Sequence, residues 1–277
     1  MAYYTCKKRN TKGDNKMLGA VIGDIVGSRF EWDNIKSKKF EFFHNDCFFT
    51  DDTVMTLAVG SALSECNGNY ENLSNTAIKN MQRIGRLYPD CGYGLRFEDW
   101  LYEDNPKPYN SFGNGAAMRV SLCAYFAESM NMAEDLSYKV TCISHNHEEG
   151  IKGAQATAVA TFMARNGFHK DDIKNYILQH YYKIDFTLDK IRRRYSFDET
   201  CQGTVPYALQ AFFESENFED AIRNAISIGG DSDTMGAITG AVAGAYYGID
   251  DKTENMALKF LDKFLIQIYH GIKQQLG

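Results

Sequence analysis

The sequence predicts an all-α fold, built as a single compact multi-helix domain. Apolar residues recur three and four apart along most of the chain, the period of a helix face. No convincing series of alternating, strand-like runs is present. Only 4 prolines occur in 277 residues, and Pro89, Pro106 and Pro108 stand together in one stretch. No internal repeat, low-complexity segment or linker divides the chain, so one domain is expected over residues 17–277.

Met1–Lys16 is polar and basic, with no apolar stretch to act as a signal peptide. It reads as a disordered leader or tail, with Lys7-Lys8-Arg9 open to a second reading as a targeting patch. Apolar patterning begins at Met17. Gly19, Gly23 and Gly27 then recur every four residues, which lines one helix face with small residues and permits close packing. Asp24 falls inside that helix, as a buried structural hydrogen-bonding group. Glu31 falls at or beyond its end. Negative charge is disfavoured at a helix C-terminus, so a nearby cation is one reason for it.

Thr50-Asp51-Asp52-Thr53 precedes a helix carrying Val54, Leu57, Ala58, Ser61, Ala62 and Leu63. Gly85 to Gly115 holds most of the prolines together with Gly92, Gly94 and Gly113. It reads as a long structured loop, a kind of segment that often carries function. Tyr93, Phe97 and Trp100 within it either line a cleft or pack in the core. Ala116–Met130 and Gly153–Arg165 read as alanine-rich helices. Thr234–Gly248 is the most apolar run, but it falls short of the ~18 residues of a membrane span, and its glycines and alanines suit a core helix. Ala257, Phe260, Leu261, Phe264, Leu265, Ile268 and Ile272 continue a helix stripe to the C-terminus.

Composition narrows the function. Hydrophobic residues at 44% and charged residues at 24% exclude a disordered, collagen-like or disulfide-scaffold protein. The 7 cysteines are scattered and form no C-x-x-C pair, so a zinc cluster is not expected and a reducing cytoplasm is the natural location. The formal net charge of −6 argues against a nucleic-acid-binding face. It also looks at first like a poor match for an anionic substrate.

Two acidic clusters stand out, Thr50-Asp51-Asp52-Thr53 and Gly229-Gly230-Asp231-Ser232-Asp233-Thr234, each just before a helix. Helix capping accounts for either alone, because Asp, Ser and Thr oxygens accept the free N–H groups of a first turn. Carboxylates packed this closely also repel one another unless a cation lies between them. Hard divalent ions take oxygen ligands of this kind. If the clusters converge, they form an all-oxygen site able to hold two ions. Tyr109-Asn110-Ser111-Phe112-Gly113-Asn114-Gly115 closes the long loop before the helix expected at Ala116. Its small residues would let backbone N–H groups approach a phosphate, with Phe112 either stacking on a ring or packing in the core. In Ser144-His145-Asn146-His147, the His-x-His pair is open to metal binding, a general base, a substrate hydrogen bond or a surface turn.

Taken together and in order, these segments resemble the ADP-ribosylglycohydrolase family, which includes the dinitrogenase-reductase-activating glycohydrolases. The matches are Gly19–Glu31 (GAVIGDIVGSRFE), Phe49–Thr53 (FTDDT), Ser111–Val120 (SFGNGAAMRV), Ser144–His145 and Gly229–Gly248 (GGDSDTMGAITGAVAGAYYG). The resemblance implies an all-α fold over residues 17–277 and two divalent cations, Mg2+ or Mn2+. It implies Thr50, Asp51, Asp52, Asp231, Asp233 and Thr234 as metal ligands, with Asp233 bridging. It places Ser111, Phe112, Gly113, Asn114, Gly115 and His145 along an ADP-ribose cleft, and Glu31, Asp52 and Asp233 as the catalytic carboxylates. The implied reaction is hydrolysis of the glycosidic bond between ADP-ribose and a modified protein side chain or small molecule. The implied protein is a monomer with no membrane partner, and meets nucleic acid only as a modified substrate. The rival readings are a non-catalytic ADP-ribose binder and a binuclear-metal phosphohydrolase.

Overall fold

In the computed structural model, the structure describes residues 17–277, so the expected leader at 1–16 lies outside the described residues. The described chain forms fifteen α-helices and two 3-10 turns, with no strand beyond an isolated antiparallel bridge between Gly113 and Thr200. In order the helices are α1 Gly19–Gly27, α2 Asp51–Glu65, α3 Leu73–Gly85, α4 Leu95–Tyr102, α5 Gly115–Met118, α6 Cys123–Phe126, α7 Met130–Thr141 and α8 Glu148–Arg165. They continue as α9 Lys170–His180, α10 Leu188–Ile191, α11 Cys201–Phe213, α12 Phe218–Ser227, α13 Ser232–Tyr247, α14 Asp251–Ala257 and α15 Lys263–Leu276.

The glycine face of α1 lies along α13, the most extensive helix pair of the fold. A Cβ at Gly19, Gly23 or Gly27 would collide with the backbone carbonyl of Gly240, Gly236 or Ser232, respectively. Removing those side chains brings the two helices to backbone contact. Every residue of α13 from Ser232 to Ala245 is buried. Most of α2 and α8 is buried as well. A helix surrounded on all sides has no polar face to show, so these helices form the centre while amphipathic ones such as α3, α12 and α15 cover it. The Thr234–Gly248 run is therefore a core helix, and no described helix is long and apolar enough to cross a membrane.

Three segment expectations need correction. The stretch 85–115 is not all loop. Leu95-Arg96-Phe97-Glu98-Asp99-Trp100-Leu101-Tyr102 forms α4, because Phe97, Trp100 and Leu101 stand three and four apart and bury one face. Ala116–Met130 is not one helix. It forms the single turns α5 and α6, and extended backbone at Ala127 ends α6 before Ser129 caps α7. The C-terminal stripe is interrupted where Leu261 turns extended and Asp262 starts α15, its carboxylate accepting from Leu265 N at 2.9 Å. The turn into α13 needs Gly229 and Gly230, whose φ angles of +68° and +85° suit only glycine readily.

Candidate active site

Packing α1 against α13, with α2 beside both, brings the chemistry-bearing segments together. Asp24 is wholly buried within α1. Its carboxylate accepts from Thr50 N at 3.0 Å, Thr50 Oγ1 at 2.7 Å and Thr53 N at 3.1 Å, and from Thr53 Oγ1. Asp24 is thus the buried structural residue expected of it, and it fastens the start of α2 to α1. Burial pushes its carboxyl up to about 6 despite those four donors.

Thr50 caps α2, accepting from Asp52 N at 3.3 Å. Capping accounts for Thr50 but not for its acidic neighbours. Asp52 accepts at Oδ2 from Thr234 Oγ1 at 3.1 Å, across from α13. Its Oδ1 is buried with no hydrogen-bond partner. Asp231 stands at the N-cap position of α13 without capping it. Instead its Oδ2 accepts from Asn114 Nδ2 at 2.7 Å, and Asn114 also donates to Thr204 Oγ1 at 3.1 Å. Asp233 Oδ1 accepts from Thr234 N at 3.0 Å. Carboxylate oxygens of Glu31, Asp231 and Asp233 lie within 4.8 Å of one another.

This crowding shows in the acid strengths. Burial, then repulsion from Asp231 and Asp24, pushes the Glu31 carboxyl up to about 7. Burial, then Asp24 and Asp231, raises Asp51 well above the ordinary carboxylate range. Burial, then Asp24 and Asp51, does the same for Asp52, and burial with Asp231 and Asp52 for Asp233. Carboxyls held this way take up either protons or cations. The unpartnered Asp52 oxygen and the close, all-carboxylate set of Glu31, Asp231 and Asp233 suit a hard divalent ion.

These acids open onto a cavity of about 620 Å³. Glu31, Asp51, Asp52, Asp231, Asp233 and Thr234 all line it. So do Ser111, Phe112, Gly113, Asn114, Gly115 and His145. The structure therefore brings the sequence-derived site residues into one cleft, save that Thr50 lies beneath, with its hydroxyl donated to Asp24. Asn114 meets the cleft as a brace for Asp231. Phe112 is half exposed rather than core, edge-on to His147 at 5.1 Å between ring centroids. The two histidines part company. His145 is buried in the cleft wall, whereas His147 caps α8 by accepting from Glu149 N at 3.1 Å. Neither belongs to a metal-ligand cluster among the described residues. The helix expected at Ala116 is the single turn α5, too short to present a helix N-terminus to a phosphate. Tyr93 and Phe97 line the cleft and are buried, while Trp100 packs in the core and donates to Ile143 O at 3.0 Å.

Several cleft residues were not singled out by sequence reasoning. Arg119 is fully buried at the cleft wall, and burial lowers it to about 10. Arg96 lies 4.6 Å over the Tyr109 ring, both facing the same cavity. Trp32 and Phe197 stack at 5.3 Å along its rim. Arg119 had one available signal, a lone cation in an otherwise apolar stretch.

Comparisons with known proteins bear on the family and the fold. A family model described as ADP-ribosylglycohydrolase matches residues 12–259. The chain is 26% identical over 262 residues to the ADP-ribosylarginine hydrolase Tri1 of Pseudomonas putida (strain GB-1), covering 84% of this chain and 70% of that one. It is 26% identical over 239 residues to the ADP-ribosyl-[dinitrogen reductase] glycohydrolase of Rhodospirillum rubrum, covering 82% and 76%. It is 25% identical over 304 residues to the ADP-ribosylhydrolase ARH3 of Xenopus tropicalis, covering 84% and 86%. A solved structure titled "ADP-ribosylglycohydrolase-related protein complex" shares the fold with a TM-score of 0.67 at 20% identity, covering 95% of this chain and 97% of that one.

Proposed function

The chain belongs to the ADP-ribosylglycohydrolase family, and from that premise we propose that it hydrolyses the glycosidic bond between ADP-ribose and a modified protein side chain or small molecule, releasing ADP-ribose. One observation carries the reading: carboxylates from the 3-10 turn after α1 (Glu31), the start of α2 and the start of α13 converge at one cavity, with a buried Asp52 oxygen left unpartnered.

Asp51, Asp52, Asp231, Asp233 and Thr234 would hold two divalent cations, Mg2+ or Mn2+, with Thr50 offering the lone pair its cap does not use. Bound there, such ions would supply the positioning of ribose hydroxyls and the acidification of water. The acids around them also suit the positive charge that develops on the ribose ring as the glycosidic bond breaks. Glu31 is half-buried beside Asp231 and Asp233, where burial and the neighbouring acids raise its carboxyl while no cation is bound. Its place beside those acids at the cleft makes it the group to protonate the departing acceptor or take a proton from the attacking water. Asp52 and Asp233 orient the reacting groups from the cleft floor. Arg96 and Arg119 place positive charge on the same cavity wall, which offsets the acidic surplus where a pyrophosphate would lie.

The test is a panel of ADP-ribose conjugates linked through arginine, serine, a nucleic-acid end or an ester, each assayed with Mg2+ and with Mn2+ for free ADP-ribose. Release that is lost together with cation binding in Asp52→Ala and Asp231→Ala supports the reading. Full turnover by both variants in chelator, or release of phosphate in place of ADP-ribose, overturns it.

A further inference from the structure

Arg119 is a buried cation with no carboxylate in an ion pair with it among the described residues. Its Nη2 donates to Ser144 Oγ at 2.7 Å and to Val140 O at 3.5 Å, and meets His145 Nδ1 at 3.3 Å. The guanidinium lies 5.2 Å from the centre of the Phe97 ring. Ser144 Oγ is itself 2.9 Å from His145 Nδ1. Arg119 Nη2 has two protons for its three contacts, and the one to Val140 is the longest. A guanidinium carries only donors, so the protonation that suits this triangle leaves Nδ1 as an acceptor. Ser144 accepts from Arg119, and its own hydroxyl proton is free for the same nitrogen. Nδ1 therefore holds a lone pair, and a neutral ring must carry its proton on Nε2. Burial, and then the cations Arg119 and Arg96, hold the ring well below the ordinary histidine range, so it is uncharged at neutral pH.

Nε2 lies beside the glycines of the cleft wall. A Cβ at Gly115 or Gly113 would stand 3.4 or 3.6 Å from it. Side chains at those positions would cover the nitrogen, and among the described residues none accepts from it. We propose that Arg119 and Ser144 are positioning residues that lock His145 as its Nε2–H tautomer, so that one uncharged donor faces an oxygen of the ADP-ribosyl group beside Gly113 and Gly115. The ligand half of this proposal rests on the function proposed above; the tautomer half does not. A neutral donor of fixed direction recognises a hydroxyl or phosphate oxygen by geometry, and its cleft-facing Nε2, already protonated, cannot serve as a base there.

Long-range 1H–15N spectra of the 15N-labelled protein at pH 7 test the lock without substrate. His145→Gln identifies the ring signals. The wild type is expected to show a protonated, pyrrole-like Nε2 and a pyridine-like Nδ1. Ser144→Ala leaves the Arg119 donors beside Nδ1 and should keep the tautomer, whereas Arg119→Met, or Arg119→Gln if the Met variant does not fold, should populate the Nδ1–H form. A wild-type ring protonated at Nδ1, or a folded Arg119 variant with an unchanged tautomer, overturns the lock. Free ADP-ribose tests the second half. Saturation should move the Nε2–H signal, and Ser144→Ala should weaken binding roughly 2- to 10-fold, the worth of one ordinary hydrogen bond, with KM rising more than kcat falls. Binding that leaves the Nε2–H signal unmoved overturns this half alone. ADP-ribose that does not bind at all overturns it together with the proposed function, while the lock is judged on the tautomer spectra.

Discussion

Asn114 donates to Asp231 at 2.7 Å, joining the loop that closes one wall of the cleft to the acid at the head of α13. An outer partner of this kind aims a carboxylate and sets its basicity. Such partners commonly contribute 10- to 100-fold in metal affinity. Asn114→Ala is accordingly expected to weaken Mn2+ binding by about that factor, read by calorimetry, while leaving the folded far-ultraviolet spectrum intact. Unchanged Mn2+ affinity would show that Asp231 needs no brace.

Asp24 does not line the cavity, yet its carboxylate receives both N–H and both hydroxyl donors of Thr50 and Thr53. Asp24→Ala strands those buried donors, at about 1–3 kcal/mol for each group left unpaired. Urea unfolding should show a loss of at least about 2 kcal/mol, together with loss of cation binding as the start of α2 shifts. A variant of wild-type stability would remove Asp24 from the framework of the site.

The raised carboxyls make stability depend on pH in a definite direction. Asp24 at about 6 and Glu31 at about 7 bind protons more tightly folded than unfolded, since an unfolded carboxyl titrates near about 4. Their favourable contribution is therefore complete below about pH 4 and is lost as pH rises through about 6 to 7. Without divalent ions, the melting temperature should fall from about pH 5 to pH 8. Adding Mg2+ or Mn2+ should raise it, and by more at pH 8 than at pH 5, where protons compete for the same oxygens. Equal cation shifts at both pH values would contradict this account.

Gly23→Ala tests the α1–α13 contact. The added methyl meets the Gly236 carbonyl, which is backbone and has no rotamer to change. Chemical denaturation should show a loss of about 3 kcal/mol or more, with activity falling in proportion to the misplaced Glu31 and Asp24. Gly271→Ala, inside α15 at a glycine with open space around it, should instead gain up to about 1 kcal/mol from helix propensity.

Local pattern made some of this legible. The glycine spacing in residues 19–27 foretold a close helix contact, and the place of Asp24 inside that helix pointed to a buried structural role. The two acidic clusters declared themselves as helix starts, because capping chemistry is written in neighbouring residues. Helix boundaries were harder. α4 was hidden among prolines and glycines. The alanine-rich run after Gly115 looked continuous because periodicity does not register an extended residue such as Ala127.

By itself, then, the sequence determined an all-α chain with a glycine-lined helix and two acid-bearing helix starts. Residue pattern alone left capping and metal binding both open, and only the family resemblance set His145 apart from His147. Those choices belong to contacts between residues far apart in the chain: Asn114 drawing Asp231 away from its own helix end, Thr234 reaching Asp52, and Arg119 turning the His145 ring. Local spacing sets which face of a helix is apolar, but which carboxylates share a cavity is set by how the helices pack. Only the packed structure puts Glu31 beside Asp231 and Asp233 and leaves an Asp52 oxygen in the interior with nothing to bind.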